Sequence, residues 1–342
     1  LWNRAADEEI TEPQWTPSVT KPFAYTTGST MTVNVLMTSE DVTDAVDIRY
    51  TVGGTWRNSL GEIKGTPYSV DKDTGHGSFP YSLAHQTTAL DSVMDYRLDQ
   101  SYDFYVRKSS ADEWCYADEG NATHPQVYLT FGAPIGPWGT KPANPPDPAV
   151  PRTCWSAVTK DACEWMEETG YPNTDEGKLY ARKRLAYKAF WSSGKNYDGG
   201  PTGSHCSSDG TEFRMKAFID DDVADCRDMS AWWVKLCNSV GMNGQLRRID
   251  DGDTDHFITY NIDPVGSPDW QVVDWNFHQI GQYINAFDSC LQLNQSSPRV
   301  TQDESINGSY KNDLYDTMAN FNANPPGSWT LGDAFSLQEV TE

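Results

Sequence analysis

Cys226 stands at the head of a run with helical spacing, "CRDMSAWWVKLCNSVG" (226–241). A thiol at a helix start faces unpaired backbone amides and the positive end of the helix dipole. Both favour thiolate over thiol, and so a sulfur nucleophile near neutral pH. Attack on an amide carbonyl also needs an acid for the leaving amine. A histidine oriented by a carboxylate serves as base and then as acid. The chain offers such partners in order: His256, 30 residues on (256 − 226), and Asp274, 18 residues later (274 − 256). Each has an ordinary reading as well: Cys226 as a disulfide half, His256 as a satisfied strand histidine, Asp274 as a turn cap. Asp274 ends the apolar run "VVD", where a buried carboxylate requires a partner. His278 and His205 compete as bases, His278 four residues past Asp274 and His205 in a Gly/Ser-rich loop. Cys237, 11 residues along the same helix, reads as buried or bridged.

Acids crowd the candidate nucleophile. "FIDDDVADCRD" sets Asp220, Asp221, Asp222, Asp225 and Asp228 around Cys226. Negative charge raises a thiol pKa and opposes the dipole, unless solvent screens it or Arg227 offsets it. An acidic mouth would suit cationic substrates such as lysine-bearing chains. A second acidic run, "DDGDTD" (250–255), places Asp251, Asp253 and Asp255 at alternate positions, as a calcium loop begins. Position six is then His256 rather than Gly, and position twelve is Ile262 rather than Glu, so the EF-hand pattern fails. "DKDTGHG" (71–77) is a weaker case. A solvated acidic loop is the reading preferred, with no cofactor expected and calcium kept as the minor alternative.

The elements that must position these residues fall after a proline-rich stretch. Residues 134–151, "PIGPWGTKPANPPDPAVP", hold seven prolines and form an extended linker. "TDEGKLYARKRLAYKAFWSSG" (174–194) reads as a helix, with Leu179, Leu185, Ala186 and Phe190 near helical spacing. Thr174 caps it, Asp175 and Glu176 fill its first turn, and Gly194 ends it. A second helix runs from about Arg227 to Val240 and stops at Gly241. "HFITYNI" (256–262) and "WQVVDWNF" (270–277) are strands joined by a turn carrying Pro264, Gly266 and Pro268. Before the linker, "MTVNVLMT" (31–38), "AVDIRYTV" (45–52), "SYDFYVRK" (101–108) and "QVYLTF" (126–131) read as strands. Gly53-Gly54 and "DKDTGHGS" (71–78) read as the turns between them. The organisation expected is an immunoglobulin- or fibronectin-like β-sandwich over 1–133, the linker over 134–151 and an α+β domain over 152–342. Trp56 or Trp114 could give the sandwich a carbohydrate- or protein-binding role, though core tryptophans are commoner.

The blocks "DCRDMSAWWVKLCNSVGM", "DHFITYN" and "DWQVVDWN" resemble the signatures of the transglutaminase-like superfamily. There a Cys-led helix ends in glycine, a His-led strand follows, and a further strand ends in Asp. The resemblance covers roughly residues 174–280. It implies a papain-like core with Cys226 as nucleophile, His256 as general base and acid, and Asp274 as orienter. It also implies an oxyanion held by the Cys226 amide and an upstream donor. Trp191, 35 residues before Cys226 (226 − 191), resembles the tryptophan that animal transglutaminases place there.

Composition bounds the rest. A formal net charge of −23 excludes nucleic acid as a partner, because phosphate binding needs a basic surface. No apolar run approaches the roughly 20 residues of a membrane-spanning helix. Seven cysteines without CxxC exclude a zinc ribbon and suggest up to three disulfides plus one free thiol. With the sequons at Asn121, Asn294 and Asn307, this points to an extracellular or cell-surface location. The function expected is acyl transfer from an amide through a thioester, on a protein or peptide substrate. Hydrolysis is preferred, because water is the default acceptor; cross-linking to a lysine amine is the first alternative, and a non-catalytic binding protein the second.

Overall fold

The computed structural model describes the chain apart from residues 4–7, 11–13, 17–18, 41–43, 58–67, 87–88, 90–91, 124–125, 139, 142–149, 152, 167–169, 201–203, 208–211, 251–256, 268–269, 294–297, 315–329, 332–338 and 342. It is a mixed α/β chain in which strands predominate. Two compact units divide it. The first is Leu1, Ile10–Gly132 and Glu167–Asn173; the second is Trp2–Glu9, Ala133–Met166 and Thr174–Glu342. Half of the proline-rich run, 139 and 142–149, lies outside the described residues, and the described remainder groups with the second unit. No helix among the described residues is long and apolar enough to cross a membrane.

In the first unit, β1 (Phe23–Thr26), β3 (Val46–Arg57), β4 (Tyr68–Gly77), β6 (Ser92–Arg107), β7 (Cys115–Thr123) and β8 (Gln126–Thr130) belong to one seven-stranded sheet, ordered β1-β8-β6-β3-β4. β7 and the short strand Tyr171–Pro172 both pair with β6. A separate two-stranded ribbon pairs β2 (Thr32–Met37) with β5 (Tyr81–Gln86). Ile48, Tyr50 and Val52 of β3 form the core with Tyr96 and Tyr102 of β6, and Met37, Val35 and Tyr81 of the ribbon pack against them. Alternate side chains of β3 therefore face inward and the others outward.

Two stretches that read as turns are strand. Gly53-Gly54 lies within β3, and 71–77 within β4. Packing explains the glycines better than turning does. A Cβ on Gly75 would sit 1.8 Å from the Tyr81 hydroxyl, and one on Gly77 would sit 2.6 Å from the same ring. Tyr81 of the ribbon needs those two gaps to lie against the sheet.

In the second unit the helices are α1 (Ser156–Met166), α2 (Asp175–Ser192), α3 (Met215–Asp220) and α4 (Cys226–Ser239). The Thr174 hydroxyl accepts from the Gly177 amide at 3.0 Å and so starts α2, while Gly194 beyond its end takes φ +71°. α4 ends before Gly241, at φ +76°. The sheet uses β9 (Gln245–Asp250), β10 (Phe257–Pro264), β11 (Trp270–Trp275), β12 (His278–Tyr283), β13 (Asn285–Leu293) and β14 (Arg299–Glu304). Its order is β11-β10-β13-β12-β9, with Thr330–Leu331 on β9 and β14 on β13.

α4 is buried along its whole length. It lies close to β12 because Gly281 has no side chain: a Cβ there would come 2.2 Å from the Trp233 ring. Trp233 stacks on Phe287 of β13 at 4.8 Å, and its indole N–H donates to the Arg182 carbonyl of α2 at 3.2 Å. Truncating such a tryptophan to alanine costs about 3–5 kcal/mol. Lys235, on the same helix and 1% exposed, donates to the Pro137 carbonyl at 2.6 Å.

All seven cysteines are free, and six of them are buried. The disulfides expected from their number are therefore not formed. Burial is the physical account: cysteine packs as a small apolar side chain, and these sit in the core as such.

Candidate active site

The site is built at the N-terminus of α4. Asp225 is its N-cap: the carboxylate accepts from the amides of Arg227 (2.8 Å) and Asp228 (3.1 Å). Asp228 answers by accepting from the Asp225 amide at 3.3 Å, which completes a capping box. Asp228 is fully buried and accepts three further bonds. The amides of His205 and Cys206 reach one oxygen at 2.8 and 2.9 Å, and His205 Nδ1 lies 3.0 Å from the other. Asp225 is also paired with the Arg227 guanidinium at 2.7 Å. Two of the five acids near Cys226 are thus consumed in holding the helix start. Asp220 and Asp221 remain outward, with side chains 53% and 45% exposed.

Cys226 is the first residue of α4 and is 4% exposed. The Gln279 backbone N–H of β12 lies close enough to its sulfur to favour the thiolate. The Gln279 side chain in turn donates to the Ser230 hydroxyl at 2.9 Å, and Ser289 of β13 donates to the Met229 carbonyl at 2.8 Å. These bonds tie the first turn of α4 to β12 and β13. Burial pushes the Cys226 thiol well above its ordinary range, and the Asp225 charge adds to this; the Gln279 amide and Arg227 oppose it.

Next to Gln279, His278 opens β12 and is fully buried. Its Nε2 lies 2.8 Å from the Asp288 carboxylate of β13. The same carboxylate accepts from the Tyr310 hydroxyl at 2.7 Å and from the amides of Cys290 (2.9 Å) and Leu291 (3.1 Å). His278 Nδ1 is buried and has no hydrogen-bond partner among the described residues. With Nε2–H given to Asp288, Nδ1 carries the ring's lone pair, which is the arrangement a general base needs. The Asp288 charge also reaches Cys226.

The residues singled out in the sequence separate as follows. Cys226 occupies the helix start expected of it. His256 lies outside the described residues. Asp274 is placed by its backbone on β11, opposite Ile258 of β10. Trp191 is 54% exposed near the end of α2, its ring packed on Phe190 and Tyr187. His205 is held between Asp228 and Asp221, which raises its pKa chiefly through the bond to Asp228. Asp251, Asp253 and Asp255 lie outside the described residues, and 71–77 is extended within β4.

Asp288 escaped the sequence reading. The available signal was the pattern "HQIGQYINAFD", two apolar-rich strands about a short turn, which places His278 and Asp288 on neighbouring strands. Tyr197 also escaped it. The strand Asn196–Tyr197 pairs in parallel with Val223–Ala224, setting Tyr197 beside Ala224, two residues before Cys226. Its ring meets those of Trp270 and Trp275 edge-on at 5.2 and 5.9 Å. Burial and the nearby Cys226 raise its phenol pKa, so it stays protonated.

No family model matches the sequence, and no curated protein matches it. Among solved structures 33 chains match. One is the crystal structure of red sea bream transglutaminase, at 9% identity and a TM-score of 0.38, covering 80% of this chain and 49% of that one. This chain thus spans about half the length of that enzyme.

Proposed function

We propose that this protein is a thiol-dependent acyl transferase of transglutaminase-like type, acting on an amide through a thioester, with Cys226, His278 and Asp288 as its catalytic set. The observation that carries the reading is Cys226 at the first position of α4, its thiol acted on by the Gln279 amide of β12, with the next residue of that strand a buried histidine whose Nε2 is held by Asp288 and whose Nδ1 has no partner among the described residues. The chemistry follows from those atoms. Nδ1 takes the thiol proton as sulfur bonds to the amide carbon. The resulting oxyanion is held by the Cys226 amide, which the Asp225 cap leaves alone, and by the Tyr197 hydroxyl. Tyr197 serves here better than Trp191, which is turned to solvent. The tetrahedral carbon then expels the amine, which takes the proton from Nδ1–H, and a thioester remains. Water gives its proton to Nδ1, attacks the thioester carbon and releases the acid and the Cys226 thiol.

Hydrolysis remains the preferred outcome, with a lysine amine as the alternative acceptor. The set drawn from family resemblance, with His256 as base and Asp274 as orienter, is the competing assignment. The first unit is read as a β-sandwich support, from its shared sheet-and-ribbon core.

Cys226→Ala should abolish activity on amide substrates. A glutamine peptide with a fluorescent amine separates the outcomes. Acid release without amine incorporation is expected, whereas Cys226-dependent incorporation would make the protein a cross-linker. Full biological activity in Cys226→Ala would replace both with a binding role.

A further inference from the structure

The outward face of the first unit's sheet holds a cavity of about 280 Å³ lined by Asp47, Gly75, His76, Arg107 and Trp114. Its charged members form one row across three strands: Arg107 of β6 is directly opposite Asp47 of β3, and Asp47 is opposite His76 of β4. Asp47 is the row's acceptor, and both its oxygens are taken. One lies 2.8 Å from His76 Nδ1 and the other 2.9 Å from Arg107 Nε.

The donors, in contrast, are left in excess. Arg107 has five N–H groups; Nε is given to Asp47 and one on Nη1 to the Ser110 carbonyl at 3.4 Å. A second guanidinium, Arg49, lies one alternate position along β3. It sits 4.7 Å above the Trp114 ring, while Arg107 sits 4.5 Å from the same ring. Arg49 Nε is shielded from solvent and has no hydrogen-bond partner among the described residues. Two arginines against one aspartate leave the site positive, in a chain whose formal net charge is −23. Remote acids are screened beyond about 10 Å at 0.1 M salt, so the local charge governs what enters.

We propose that this cavity binds a small ligand bearing an oxyanion, a carboxylate or a phosphate ester, on a body of monosaccharide size. The ligand must supply what the site lacks, namely acceptors and negative charge. The free N–H groups of Arg107 meet the oxyanion, Arg49 adds charge from the face of Trp114, and the indole packs on the body. The volume lies at the small end of ligand pockets, which limits the body.

Calorimetric titration of the full chain with glucuronate, glucose 6-phosphate and glucose tests this. One anion or both should bind with Kd of about 1 mM or tighter, and glucose at least about tenfold more weakly; which anion binds separates carboxylate from phosphate ester. Arg107→Gln disturbs the Asp47 row, so Arg49→Gln, which leaves that row intact, is the second variant. A loss of about tenfold in anion affinity in Arg49→Gln, at an unchanged melting temperature, supports the site. Binding of neither anion, equal binding of glucose, or unchanged anion affinity in both variants overturns it.

Discussion

At the scale of single residues, Cys226 lies between opposed fields. The helix dipole, the Gln279 amide and Arg227 favour the anion; burial and Asp225 disfavour it, and burial is the largest influence. A dipole contributes about 0.3–1 kcal/mol at exposed sites and up to about 2 in buried ones. That does not offset the removal of a thiolate from water. The resting sulfur is therefore a thiol, and on the proposed mechanism His278 removes its proton during attack. General-base loss costs about 10²–10⁴-fold, so His278→Ala should lower kcat/KM by that range while His256→Ala stays within a few-fold of the parent. The reverse ranking would restore His256 as the base. Cys226 was legible in the sequence because it heads a run with helical spacing that closes on a glycine stop. The His278–Asp288 pair was not, because it depends on a hairpin whose turn residue is Ile284 rather than Asn-Gly or Asp-Gly.

That hairpin belongs to the scale of elements. Ile284 stands between the paired residues Tyr283 and Asn285 at φ +63° and is 78% exposed. A β-branched residue in the left-handed region costs roughly 1–2 kcal/mol. Ile284→Gly should thus raise stability by about 0.5–1 kcal/mol in urea unfolding, with activity retained, whereas a loss of similar size would refute the strain. The start of α4 carries a pH signature of its own. The bond from His205 to Asp228 raises the His205 pKa above its unfolded value of about 6.5. The folded state then binds the extra proton more tightly. The stabilisation is complete below about pH 6.5 and fades as pH rises through the raised folded pKa. The gap in melting temperature between the parent and His205→Gln should accordingly be widest near pH 6 and narrow toward pH 9; an unchanging gap would remove the charge from the explanation. A cap and a glycine stop made α2 readable and a glycine stop made α4 so, whereas β4 was hidden because Gly75 and Gly77 mimic a turn while making room for Tyr81.

For the whole molecule, the first unit's main stretch ends at Gly132 and the second unit resumes at Ala133. The return of Tyr171–Pro172 to pair with β6 had no counterpart in composition, since two residues carry no periodicity. Lys235 has a consequence for the protein as a unit that folds. Sealed in the core against the Pro137 carbonyl, its ammonium is disfavoured by burial, which brings its pKa down to about 8, against about 10.4 in an open chain. Folding therefore expels a proton from this lysine in mild alkali. Below about pH 8 both states hold the proton and the burial penalty stands in full. From there to about pH 10.4 the penalty lifts, by roughly 3 kcal/mol at most. The protein should grow firmer on the alkaline side through this group, a slope that Lys235→Met would flatten in urea unfolding followed from about pH 7.5 to 10. A parent slope no steeper than the variant's would place Lys235 in contact with water. The helix that begins at Cys226 would then owe part of its hold to alkalinity felt two turns and more from that cysteine.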